Sequence, residues 1–191
     1  MSGQGKGDVR AAEARINELL QGSGADEGAR KKILGILHDT CGERVDLSCG
    51  LYDAELGDAG VMAVAEAVRH TTKLKKLDLD HNNIGAEGAK AIATALHHNT
   101  SIAHLDLSGN NIGAEGAKAI ATALHHNTSI TQLDVSENNI GAEGGKVIAE
   151  ALHHNTSIAQ LYLGGNNIRK KGARALGAAV PKNRLLTLDI G

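Results

Sequence analysis

Imidazoles recur through this 191-residue chain at a fixed interval. His70, His98, His126 and His154 are evenly spaced, and His97, His125 and His153 precede the last three. Two chemistries suit such paired imidazoles. One is ligation of a transition metal, and the other is a change of charge within the physiological pH range. A plainer reading competes with both. The pairs fall where helices should end, and a partly charged His there meets the negative end of the helix dipole. Duplication alone would also copy them. The expectation is therefore no metal and no cofactor.

The remaining reactive groups are sparse. Asp78-Leu79-Asp80-His81-Asn82 starts like a calcium loop but lacks the Gly at position six and the Glu at twelve. Asn99-Thr100-Ser101, Asn127-Thr128-Ser129 and Asn155-Thr156-Ser157 match the glycosylation acceptor pattern. Without a secretory signal they are expected to be recurring helix-to-strand connections. Cys41 and Cys49 suit free thiols in a reducing compartment. No nucleophile beside a base and no acid–base pair stands out, so the chain is not expected to be an enzyme.

Composition narrows the architecture. Apolar residues make up 41% of the chain, yet it has no Phe, no Trp and only Tyr52 and Tyr162. Leu, Ile, Val and Ala must fill the core, which suits thin, repeated layers. A net charge of −2 gives no general pull towards nucleic acid or membrane. No apolar stretch approaches the roughly 20 residues of a membrane span, and the location expected is cytoplasmic.

The elements that must carry these groups follow from the repeat. Gly85–Ile102 reads GAEGAKAIATALHHNTSI, and Gly113–Ile130 reads the same. Leu74, Leu77 and Leu79 align with Ile102, Leu105 and Leu107, then with Ile130, Leu133 and Val135, then with Ile158, Leu161 and Leu163. Asn82, Asn110, Asn138 and Asn166 follow in register, each two residues before an Ile. The L-x-L spacing puts two Leu on one side of a strand and the intervening residue on the other. Over residues 86–98, Ala89, Ile92, Ala93 and Leu96 fall on one face of a helix. Neither element buries its apolar side alone, so neighbours must stack. The aligned Asn carry both donors and acceptors, which suits a buried ladder at the strand exits.

The pattern weakens at both ends. Leu56-Gly57-Asp58-Ala59-Gly60 matches Ile84-Gly85-Ala86-Glu87-Gly88, but the strand before it, at 45–51, fits only with altered spacing. Leu185, Leu188 and Ile190 restore the motif after one deletion near Asn183. The division expected is a helical cap over positions 1–44 and, over 45–191, repeats of about 28 residues with the last incomplete. Within the cap, residues 8–20 and 26–38 carry apolar side chains at helical spacing.

The unit L-x-x-L-x-L-x-x-N-x-I resembles the leucine-rich repeat, and the residues N-N-I-G-A-E-G-A-K-A-I-A-x-A-L, which overlap its end, resemble the ribonuclease-inhibitor-like class within it. It is similar to the repeat arrays of NOD-like receptors. No G-x-x-x-x-G-K-S/T is present, so the nucleotide-binding part of such receptors is absent. The resemblance implies an α/β fold: a right-handed solenoid with a parallel inner sheet, outer α-helices and protein recognition on the concave face.

On that face the outward positions form columns. Lys76, His104, Gln132 and Gln160 make one, continued by Thr187. Asp78, Asp106, Asp134 and Tyr162 make the next, continued by Asp189. Asp80, Ser108, Ser136 and Gly164 make a third, with Glu137 beside it. The candidate partner-binding residues are Lys76, Asp78, His104, Asp106, Gln132, Asp134, Glu137, Gln160 and Tyr162. Like charges on neighbouring strands are unfavourable by tenths to about 1 kcal/mol. The Asp column is thus either a tolerated product of duplication or a site for a basic protein partner. Two alternatives stay open. The chain is a minimal, consensus-like solenoid that self-associates through its C-terminal edge strand, or the basic last unit, with Arg169, Lys170, Lys171, Arg174, Lys182 and Arg184, meets an acidic partner.

Overall fold

The structure, a computed structural model, describes residues 4–38, 44–45, 55–179 and 187–190. Cys41, Cys49, Tyr52, Lys182, Arg184, Gly191 and most of the strand expected at 45–51 lie outside them.

Two helices come first, α1 (Gln4–Gln21) and α2 (Glu27–Leu37). Strands and helices then alternate as β1 (Arg44–Val45), α3 (Gly57–Val68), β2 (Lys76–Asp78), α4 (Ala86–Leu96), β3 (His104–Asp106), α5 (Gly113–Leu124), β4 (Gln132–Asp134), α6 (Gly141–Leu152), β5 (Gln160–Tyr162), α7 (Arg169–Ala179) and β6 (Thr187–Asp189). The strands form one parallel sheet in the order of the sequence. A parallel neighbour needs a crossover, and the helices supply it. This is the α/β solenoid that the repeat implies.

Register follows the motif. Leu77 pairs with Leu105, Leu105 with Leu133, Leu133 with Leu161 and Leu161 with Leu188. The last of these steps is shorter than the others by a single position, which agrees with one deletion in the last unit, while Asn183 lies outside the described residues. Val45 pairs with Leu77, a longer step than any of these, and this is the altered spacing of the first unit.

The core lies between sheet and helices. Leu77, Leu79, Leu105, Leu107, Leu133, Leu161 and Leu163 are buried from the sheet side, and Ala89, Ile92, Ala93 and Leu96 meet them from α4. The helices bury more than the single stripe that periodicity predicts. Ala95, Ala123 and Ala151 are also buried, because each helix packs against a helix on either side as well as against the sheet. Small side chains fit such close helix flanks.

Helix α4 stops at Leu96, short of the expected 98; His97 forms the C-cap and His98 lies in the following turn. At the other end, the Asp58 carboxylate on α3 accepts the N–H groups of Gly85 and Gly88 at 2.7 and 2.9 Å. One unit thereby caps the helix of the next. Gly113 opens α5 with φ +63°, and a Cβ there would meet nothing within 4 Å. Its substitution by Ala isolates backbone strain, so Gly113→Ala is expected to destabilise by about 1 kcal/mol in urea unfolding. Arg169 occupies the corresponding place in the last unit at φ +57°. Arg169→Gly should shift stability the other way by a similar amount.

Helices α1 and α2 both pack against α3. Ala12, Ile16, Leu20, Ala29, Ile33, Ile36 and Leu37 join the same core as Val61, Val64 and Val68.

Candidate protein-binding face

The short strands turn alternate side chains inward and outward. Pairing of the inward Leu therefore fixes the outward columns as well. Lys76, His104, Gln132, Gln160 and Thr187 are register partners, and so are Asp78, Asp106, Asp134, Tyr162 and Asp189. Neighbouring strands lie about 4.8 Å apart, so each column is a continuous strip. His104 and Gln160 are exposed, and Gln132, Asp106, Asp134 and Tyr162 are partly so. Asp78 is only 6% exposed and pairs with Lys76 at 3.4 Å, so the edge of the strip presents the Lys more than the Asp.

The Asp column has a local task that the spacing did not reveal. The Oδ1 atoms of Asp78, Asp106 and Asp134 accept the N–H of the residue two further on: Asp80 at 3.3 Å, Ser108 at 3.0 Å and Ser136 at 2.9 Å. Asp106 also accepts the Ser108 hydroxyl at 2.6 Å. Each carboxylate thus secures a backbone donor where the strand ends. This offsets like-charge repulsion along the strip and explains why Asp recurs. Tyr162 departs from that task.

At the rim, residues 81, 109, 137 and 165 all take positive φ, and they alternate His, Gly, Glu, Gly. The alternation is steric. A Cβ on Gly109 would clash with the His81 ring, and one on Gly165 would lie 2.8 Å from Glu137 Cγ. Glu137 is exposed there beside Ser136. His81 Nδ1 contacts Asp80 Oδ1, and Ser108 Oγ lies 3.0 Å from the same oxygen. The Ser and His meet the carboxylate and not each other, so this is no nucleophile–base pair.

Behind the strip run two amide ladders. Asn138 donates to Leu107, Val135 and Ser136 carbonyls at 2.8, 3.2 and 2.8 Å, and Asn166 repeats the pattern one unit on. That ladder is the one expected from the aligned Asn. The second was missed. Asn99, Asn127 and Asn155 of the N-T-S triplets are 3–5% exposed, and each donates to two carbonyls of the preceding unit. Their Oδ1 atoms accept the N–H groups two and three residues on. Amide nitrogens held in this way leave no room for a glycan. The signal was the strict recurrence of the triplet; its burial was not visible.

On the outer helices Lys171 hydrogen-bonds Glu143 at 2.9 Å across one unit and holds its carboxyl below the usual range. Glu87, bonded to Lys90 at 2.7 Å, holds that amine above its usual value. No helix among the described residues is long and apolar enough to cross a membrane.

Stacked strand–helix units joined by an Asn ladder, with a polar strip on the open sheet, define a repeat solenoid. A family model for the Leucine Rich repeat matches residues 70–93, 98–121, 126–149 and 154–177. These stretches make up half of the chain, which therefore belongs to the leucine-rich repeat family. No curated protein matches it. Among solved structures, the leiomodin-1 actin-binding site 2 is similar with a TM-score of 0.65 at 22% identity, over 84% of this chain and 91% of that one. The tropomodulin C-terminal domain from Caenorhabditis elegans is similar with a TM-score of 0.65 at 13% identity, over 82% and 93%. At these identities the likeness concerns the fold.

Proposed function

We propose that this chain is a cytoplasmic scaffold of the ribonuclease-inhibitor-like class that works by binding a protein on the open face of its sheet, not by catalysis. Helices α1 and α2 serve as the cap of the first unit. The observation that supports the reading is the registered strip on the sheet face away from the helices. His104, Asp106, Gln132, Asp134, Gln160 and Tyr162 form its centre, with Lys76, Asp78 and Glu137 at its margins. The frame explains the Asp residues locally, so the specificity falls on the departures from it, above all Tyr162. Aromatic residues are enriched at binding hot spots. The surplus of carboxylates favours a basic patch on the partner.

One similar structure is an actin-binding site, so actin is the first partner to test. Co-sedimentation with filaments and crosslinking pull-down should be run on the wild type and on Tyr162→Ala with Asp134→Lys. A partner bound at this face should lose tenfold or more in affinity. Equal binding by both proteins would remove the site.

Ile190 favours the second reading, self-association through β6, because it is a large apolar side chain left 40% exposed. Sedimentation at several concentrations should then show a rising mass that Ile190→Lys abolishes. A constant monomer mass would dismiss it.

A further inference from the structure

We propose that the histidines after the helix ends form two clamps for a divalent transition-metal ion, one made by His97 and His126 and the other by His125 and His154. The sequence places these residues in regular columns, but the stack pairs them diagonally. The first His of one unit lies against the second His of the next. Ring centroids are 5.0 Å apart for His97–His126 and 5.5 Å for His125–His154, with planes inclined by 34° and 41°. All four side chains are exposed.

These separations suit shared ligation. A metal bound to an imidazole nitrogen at about 2.0–2.1 Å lies roughly 3.2 Å from the ring centre. Two rings around one ion then subtend about 103° at the first separation and about 118° at the second, close to the tetrahedral angle.

The start of the diagonal is set by a departure from the repeat. In the unit before, Arg69 stands where His97 and His125 stand later, and it lines a cleft with Glu66, His70 and His98. A cation there cannot ligate, so the diagonal starts at His97. Among the described residues no three His, Cys, Asp or Glu groups converge. Water would complete each coordination sphere, and the affinity is that of a two-imidazole site. Each ion would bridge two neighbouring units and stabilise the folded stack by mass action.

The test uses Cu2+, which binds nitrogen sites most strongly among the first-row divalent ions. The chain, free of any purification tag and dialysed against chelator, is titrated by calorimetry and followed by electron paramagnetic resonance. Two ions per chain are expected, each with nitrogen couplings from two imidazoles, and the melting temperature should rise with Cu2+. His126→Ala should leave one ion, and His126→Ala with His154→Ala none. His104→Ala, which changes an exposed His outside the pairs, should leave both. One imidazole per ion, or binding that survives the double variant, would overturn the proposal. Absence of binding by the wild type would do the same.

Discussion

Replacing Asn127 with Ala lowers the unfolding free energy by about 3 kcal/mol or more, in spite of the small size of the change. Its Nδ2 serves the carbonyls of Leu96 and Asn99 at 2.9 and 3.0 Å, and its Oδ1 serves the N–H groups of Ser129 and Ile130 at 3.0 Å each. Each buried group left unpaired costs about 1–3 kcal/mol. Two of the four belong to the neighbouring unit, so the interface between units weakens too, and stability in a solenoid depends on those interfaces. Asn127→Asp keeps the shape and the acceptor but loses both donations, so it should be destabilised as well. Urea unfolding of both variants checks this. A loss under about 1 kcal/mol in the Ala variant would mean that water replaces the amide without cost.

Gly116→Val should cost about 3 kcal/mol, against helix propensity. Gly116 lies in α5, where replacing Gly ordinarily gains up to about 1 kcal/mol. Here a Cβ would overlap Ile112 Cγ2 and lie 2.9 Å from Ala89 Cβ on the adjacent helix. Overpacking of this kind typically costs about 1–3 kcal/mol, and the branched side chain of Val adds to it. Gly177 in α7 is the control. A Cβ there meets nothing within 4 Å, so Gly177→Ala should stabilise by about 0.5–1 kcal/mol. If both substitutions stabilised the chain, the close approach of α4 and α5 would be disproved.

The contrast between these two glycines shows where legibility ended. Both sit in helices, and a single unit treats them alike. What separates them is the packing in space, where Ile112 at the start of its own helix and Ala89 on the adjacent helix both crowd the Cβ position of Gly116. The Asn ladder at 82, 110, 138 and 166 was legible because it follows a strand motif whose geometry is known. The ladder at 99, 127 and 155 was hidden because Asn-Thr-Ser spells an exposed acceptor and a buried brace with the same letters. Asp58 as a cap for α4, and the Asp column as a holder of strand-exit amides, were hidden for a related reason. A carboxylate shows its charge in the sequence and its hydrogen-bond partner only in space.

The amino-acid order alone specified the unit: its fixed period, its L-x-L strand, its Ala-rich helix and the order in which strands pair. Those features arise within one unit, from side-chain alternation along a strand, helical periodicity and the need of each element to bury one face. What passes between units was settled by the packing of the stack. Packing set Asp78 under Lys76, laid His81 over Gly109, and put His97 beside His126 instead of His98. Those contacts depend on the pitch and lateral offset of the stack, and no repeat period specifies these, since a periodic sequence is unchanged when its copies slide past one another.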